Sequence, residues 1–294
     1  MNGTERLNPV IALLDEGRVV FGTRIAALGI NPVGTRSVEA GLGTSDSQYD
    51  MVIFDMEHQW FDLPGLSVSL QFLLDRGRIA ASGSLRASPA PFVRLPANAR
   101  EHNQWMIKQA LDAGVYGVVV PQLESVDEAR AMVVACRYPQ ALGAPDSEPA
   151  GERGFWSSGA PRYWGTSVSE YHGRADLWPL DPAGELLLMP MIETELGVQQ
   201  LPGVLDATPG IGAVWAGYGD LAVSLGHGTD LRHGDVEAAL LQIVAVCKDF
   251  GRACAIVASP ADVAERIEQG FDIILTSAEL VDSANSIGRD IAGR

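Results

Sequence analysis

Leu186 to Leu225 reads LLLMPMIETELGVQQLPGVLDATPGIGAVWAGYGDLAVSL. Its grammar is strand, helix, strand, helix start. The apolar run Leu186–Ile192 is of strand length, Glu195–Ala207 carries helical periodicity, Ala213–Ala216 is a second apolar strand, and a helix begins near Asp220. Each strand ends on an acid, Glu193 after the first and Asp220 after the second. Two neighbouring parallel strands that each deliver a carboxylate at the C-terminal end place two hard oxygen ligands roughly 5 Å apart. Acids that close either repel, with one held protonated, or share a cation. With no Cys or His pair nearby, the donor set favours Mg²⁺ or Mn²⁺ over zinc. The competing reading is that both acids cap the helices they precede.

The same alternation extends outward in both directions. Arg18–Leu28, Tyr49–Met56, Pro91–Leu95 and Gly117–Pro121 read as strands upstream, and Ala253–Val257 and Phe271–Thr276 downstream. Helices are expected over Leu7–Glu16, Leu63–Arg76, Glu101–Ala113, Ser125–Arg137, with Ser125 and Glu128 forming a capping box, Asp235–Phe250 and Pro260–Gln269. Asn31–Gly43 has a weaker helical pattern, overlapped at its end by a Gly- and Ser-containing loop. About eight strands, nearly all followed by helices, predict one (β/α)8 TIM barrel spanning residues 1–294. An open doubly wound sheet is the alternative, but no G-x-G-x-x-G follows the first strand. Residues 140–182 interrupt the rhythm with Gly, Pro, Ser and aromatic residues, and read as a lid or a subunit-interface segment.

A barrel concentrates its chemistry at the C-terminal ends of its strands. There the sequence places Asp55, Glu57 and His58, then Arg94, then Pro121-Gln122, Glu193 and finally Gly217-Tyr218-Gly219-Asp220. His58 is suited to proton transfer near neutral pH, with Asp55 and Glu57 in support. Arg94 leaves an apolar strand and must meet either an anionic substrate or one of those two acids. Gly217 and Gly219 let the backbone approach a ligand, or simply serve a tight turn. The other four histidines, at 102, 172, 227 and 233, read as solvated.

A net charge of -16 argues against nucleic acid and anionic membranes as partners. Three cysteines without ligand spacing indicate a reduced, cytoplasmic protein, and neither a signal peptide nor an apolar run near the roughly 20 residues of a spanning helix is found. Only two lysines are present, Lys108 and Lys248, both in expected helices, which weighs against Schiff-base chemistry.

Taken in order, Asp55-Met56-Glu57-His58, Pro91-Phe92-Val93-Arg94, Leu111-Asp112-Ala113-Gly114, Val120-Pro121, Arg137-Tyr138-Pro139, Arg153-Gly154, Ile192-Glu193-Thr194 and Gly217-x-x-Asp220-Leu221 resemble the HpcH/HpaI class II pyruvate aldolases. The resemblance implies metal-dependent, reversible aldol cleavage of a 4-hydroxy-2-oxo acid to pyruvate, or hydroxypyruvate, and an aldehyde. It implies Glu193 and Asp220 as ligands of Mg²⁺, Mn²⁺ or Co²⁺, and His58 as acid/base. Asp112 of a neighbouring subunit would orient His58, Arg94 would contact the keto oxygen, and Gly217, Gly219, Asp220 and Val257 would line the substrate. It further implies a homo-oligomer, trimer or hexamer, in which the closing helix, 278–294, packs on a neighbour. The family's common first-strand Trp is Arg24 here, and its Gln two positions before the metal-binding Glu is Met191. Two alternatives stay open: a related metal-enolate lyase, such as an oxaloacetate decarboxylase, C–C bond-forming synthase or acyl-CoA lyase, and a non-catalytic keto-acid-binding barrel.

Overall fold

The computed structural model describes residues 5–25, 49–96, 98–102, 104–141, 143–157, 159–277 and 281–294. Eight parallel strands close on themselves in chain order: β1 (Val20–Ile25), β2 (Met51–Asp55), β3 (Ala90–Arg94), β4 (Gly117–Val120), β5 (Leu187–Ile192), β6 (Ala213–Ala216), β7 (Ala253–Val257) and β8 (Ile273–Ser277). β8 pairs with β1 to complete the barrel. The strands are near-continuous apolar runs because a parallel barrel is covered on both faces, by helices outside and by packed side chains within. Every residue of β2 to β6 is buried. The (β/α)8 expectation is met.

The helices in chain order are α1 (Pro9–Asp15), α2 (Leu63–Phe72), α3 (Arg76–Ser82), α4 (Gln104–Ala113), α5 (Val126–Cys136), α6 (Ala160–Trp164), α7 (Val168–Arg174), α8 (Glu195–Ala207), α9 (Tyr218–Ser224), α10 (Gly234–Asp249), α11 (Val263–Gln269) and α12 (Val281–Ile291). The single helix expected over Leu63–Arg76 is two. Asp75 takes the backbone N–H of Arg78 at 2.8 Å and starts α3 afresh, as Asp62 does for α2 through Gly65. The capping box expected at Ser125 is half made. Ser125 accepts from the Glu128 N–H, but the Glu128 carboxylate turns to the Glu124 N–H instead. The weak helical pattern over Asn31–Gly43 lies outside the described residues.

Residues 140–182 connect a helix to the following strand, and such connections lie at the N-terminal, bottom face of a barrel. The segment is not structureless. Trp164 in α6 stacks on Tyr116, just before β4, at 4.4 Å and donates to the Gly114 carbonyl. Tyr171 in α7 donates to the Leu111 carbonyl. Leu177 bridges to Leu186 at the start of β5. The segment lies at the floor of the barrel, opposite the chain's own mouth. His172, expected in solvent, stacks on Tyr138 at 4.2 Å. Within the chain the closing helix packs against β1 and the residue before β2. Gly288 meets Phe21 of β1, and Arg289 and Arg294 pair with Asp50 just before β2.

Candidate active site at the barrel mouth

Strand register does most of the positioning. Asp55 and Arg94 are direct partners across β2 and β3. Arg94 donates through Nε to Asp55 Oδ1 at 3.0 Å and through Nη2 to Oδ2 at 2.5 Å, a two-pronged bond with both residues buried. Arg94 Nη1 lies 2.7 Å from Glu57 Oε2, a charge contact without an aligned hydrogen bond, since that oxygen has no hydrogen-bond partner. Both acids open to Arg94 in the sequence are thus in contact with it. Its guanidinium also sits 5.3 Å from the ring of Trp215, on β6 across the barrel.

Charge follows from that geometry. Burial pushes Asp55 up, but the hydrogen bonds from Arg94 outweigh it and hold the carboxyl below its ordinary range. Burial raises Glu57, with Asp55 and Asp220 adding to the rise and Arg94 and His58 opposing it. The His58 side chain is largely exposed at the rim, with Nε2 3.5 Å from Glu57 Oε2.

Glu193 follows β5 and is 1% exposed. Its Oε1 accepts the backbone N–H of Gln122 at 2.9 Å. Gln122 holds φ at 52°, a left-handed conformation uncommon for a side-chain-bearing residue, and that turn aims the N–H at the carboxylate. The other oxygen, Oε2, is buried with no partner. Burial first, then the fields of Glu57 and Asp220, push the Glu193 carboxyl up to about 8. Asp220 stands in the first turn of α9 and is exposed. A Cβ built on Gly217 would lie 2.7 Å from Glu193 Oε2, so Gly217 keeps open the space that this oxygen faces.

An orphaned buried carboxylate oxygen, a second acid near enough to raise its pKa, and a cleared space are what a divalent cation with two protein ligands needs. The donor set fits. Gly217→Ala is expected to weaken Mn²⁺ binding by about tenfold or more in a direct titration, because its methyl occupies that space; unchanged affinity would remove the cation from this position. Among the described residues, compact trios of ligand-type atoms lie elsewhere, at His227, His233 and Asp235, and at Asp146, Asp176 and Asp181. Arg137 already pairs with Asp146 and Asp176 of the second trio.

Of the other expected site residues, Gly219 opens α9 with free space around it. Val257 ends β7, half-buried. Asp112 is apart from them. It lies in the last turn of α4, at the bottom face, where Arg153 donates to it at 3.0 Å. The backbone role of Gln122 and the indole of Trp215 went unread in the sequence. The Trp inside an otherwise aliphatic strand is a signal for the second, whereas nothing local announces a left-handed Gln.

A closed parallel barrel with its acids, a histidine and an arginine gathered at the C-terminal mouth defines an enzyme scaffold. Residues 43–279 match the family model described as HpcH/HpaI aldolase/citrate lyase. The chain is 32% identical over 275 residues to a hydroxypyruvate/pyruvate aldolase of Paraburkholderia phytofirmans, covering 93% of this chain and 92% of that one. It is 30% identical over 233 residues to a 5-keto-4-deoxy-D-glucarate aldolase of Salmonella paratyphi C, covering 79% and 78%. A crystal structure of an HpcH/HpaI aldolase/citrate lyase family protein from Burkholderia cenocepacia superposes with a TM-score of 0.72 at 27% identity, over 97% of this chain and 99% of that one. The chain belongs to the HpcH/HpaI aldolase/citrate lyase family, and is a lyase of the aldolase type.

Proposed function

We propose that this enzyme reversibly cleaves a 4-hydroxy-2-oxo acid into pyruvate, or hydroxypyruvate, and an aldehyde, with a divalent cation on Glu193 and Asp220. The buried, partnerless Oε2 of Glu193 beside Gly217 carries the reading. The names of the relatives, one a hydroxypyruvate/pyruvate aldolase, support the 2-oxo acid half. When bound, the cation supplies Lewis-acid polarisation of the keto group.

The protein's own residues do the rest. Arg94 is locked by Asp55 through Nε and Nη2, so Nη1, unaligned with Glu57, has N–H to offer the substrate's C2 oxygen as negative charge builds there. His58, exposed at the rim, accepts the C4 hydroxyl proton as the C3–C4 bond breaks. A proton added at C3 of the enolate then gives pyruvate, and in condensation His58 returns its proton to the new C4 oxygen. Backbone N–H groups around Gly219 and Asp220 meet the substrate carboxylate, with Val257 at the rim beside them.

Asp112 cannot reach His58 of its own chain from the bottom face, so its orienting role belongs to a homo-oligomer, trimer or hexamer, in which it faces a neighbour's mouth. Two features support such a contact. Trp60, Phe72, Trp105, Phe155 and Trp156 are exposed. A groove of about 630 Å³ between α2, α4 and the segment around Arg162 includes Asp112 in its wall. No helix among the described residues is long and apolar enough to cross a membrane. The three free, buried cysteines fit a cytoplasmic setting.

Chelation tests the cation directly. EDTA is expected to reduce pyruvate release from a 4-hydroxy-2-oxo acid by about 10²-fold or more, with Mg²⁺, Mn²⁺ or Co²⁺ restoring it. Full activity in chelator would reject the metal role.

A further inference from the structure

Among the described residues, Arg24 is a guanidinium without an acid partner. It stands near the C-terminal end of β1, aligned with Ile53 of β2 and Ser277 of β8. Its guanidinium carbon is 5.7 Å from the Trp215 ring, the same indole that Arg94 approaches. Its Nε is buried and has no hydrogen-bond partner. Among the described residues no carboxylate pairs with it, because Asp55 and Glu57, the acids whose fields reach it, are both engaged by Arg94. Burial and the nearby Arg94 charge both weigh against its charged form. An arginine set in a mouth beside a second arginine, with a donor left unused, costs free energy that a bound anion would recover.

Its place in the ring says which part of a ligand it meets. In a closed barrel of eight strands, β1 lies opposite β5, the strand that ends at Glu193. A 2-oxo acid held by its C1–C2 end near Glu193 and Asp220 extends away from β5, past Arg94 and the face of Trp215, toward β1. The group it presents there comes from the far end of the molecule.

We propose that Arg24 is a specificity-determining residue that binds a carboxylate at the distal end of the substrate, so that this enzyme prefers 2-oxo acids carrying a second acid group. This rests on the 2-oxo acid reading above. The rival account is that Arg24 only offsets the field of the mouth acids. It predicts no dependence on the ligand's far end.

The test uses the Mn²⁺-loaded, full-length enzyme and binding by calorimetry, which needs no turnover. The pairs are 2-oxoglutarate against 2-oxopentanoate, and 2-oxoadipate against 2-oxohexanoate, each matched in chain length and differing in the distal carboxylate. Wild type is expected to favour at least one diacid by about 10- to 100-fold, the range of a charge-assisted hydrogen-bonded contact. Arg24→Gln is expected to erase that preference while binding the monoacids within about threefold of wild type. Arg24→Lys, which keeps the charge, is expected to recover part of it. A wild type that does not discriminate, or an Arg24→Gln variant that still does, overturns the proposal. Exchange of the C3 protons of the bound 2-oxo acid into deuterated water is followed in parallel. Lost exchange with intact diacid preference sinks the aldolase reading and leaves the Arg24 assignment standing.

Discussion

Glu193→Gln is expected to lower aldol cleavage by roughly 10³-fold or more while making the metal-free protein more stable at alkaline pH. The two effects share one cause. The Glu193 carboxyl is buried, keeps one oxygen unpartnered and is pushed up to about 8 by burial and by the fields of Glu57 and Asp220. A carboxyl whose folded pKa is raised binds its proton more tightly in the native state than in the unfolded chain. Metal-free stability therefore falls as pH climbs from the ordinary carboxylate value toward about 8, and is regained as pH drops. The span is on the order of 3–5 kcal/mol, shared with the neighbouring acids. A cation reverses the sign by binding the ionised form, so stabilisation by Mn²⁺ is expected to be larger at pH 8 than at pH 5.5. Glutamine keeps the shape and the bond from the Gln122 N–H but carries no charge and no titration. Urea melts of both proteins between pH 5.5 and 8.5, in EDTA and in Mn²⁺, should give a sloping, metal-responsive wild type and a flat variant indifferent to Mn²⁺. A variant that turns over normally, or gains as much from Mn²⁺ as wild type, would take Glu193 out of the site.

Strand-level features were legible because they are local. β2 and β5 are apolar runs bounded by acids, and a run covered on both faces admits little else. Once the strands are fixed, register carries Asp55 beside Arg94 with no further information. Pairing choices were less visible. Arg94 had three eligible anions by sequence and uses two at once, which depends on side-chain reach across the mouth rather than on spacing. The floor segment, read as a lid or an interface, shows a different limit. Its aromatic content signals burial, but which face it buries follows from its position after a helix and before a strand, a topological fact that composition does not carry. Asp112 belongs with it: the last turn of α4 sits at the floor, so chain order alone places this acid at the end of the barrel away from His58. The break between α2 and α3 turns on one side chain, Asp75, choosing a backbone N–H over solvent.

Arg94→Met is expected to be the most damaging single change at the mouth, costing about 3–5 kcal/mol of stability and about 10³-fold or more in turnover. Asp55 is 9% exposed and has both oxygens committed to Arg94, so removing the cation strands a charge that burial already disfavours. Glu57 loses its strongest opposing field at the same moment. Arg94→Lys keeps the charge but not the fork, and should cost about 1–2 kcal/mol with an intermediate loss of rate. Stability and chemistry separate in the double variant Asp55→Leu with Arg94→Met. Replacing a buried ion pair by apolar side chains of similar volume is often neutral or better, so much of the lost stability should return. Activity should not, because the N–H donors that face the substrate's C2 oxygen are gone. Mn²⁺ affinity in the double variant should be no weaker than in wild type, since a cation has been removed from the neighbourhood of Glu193. Recovery of turnover together with stability would mean that Arg94 serves the fold alone and that the developing charge is held by some other group.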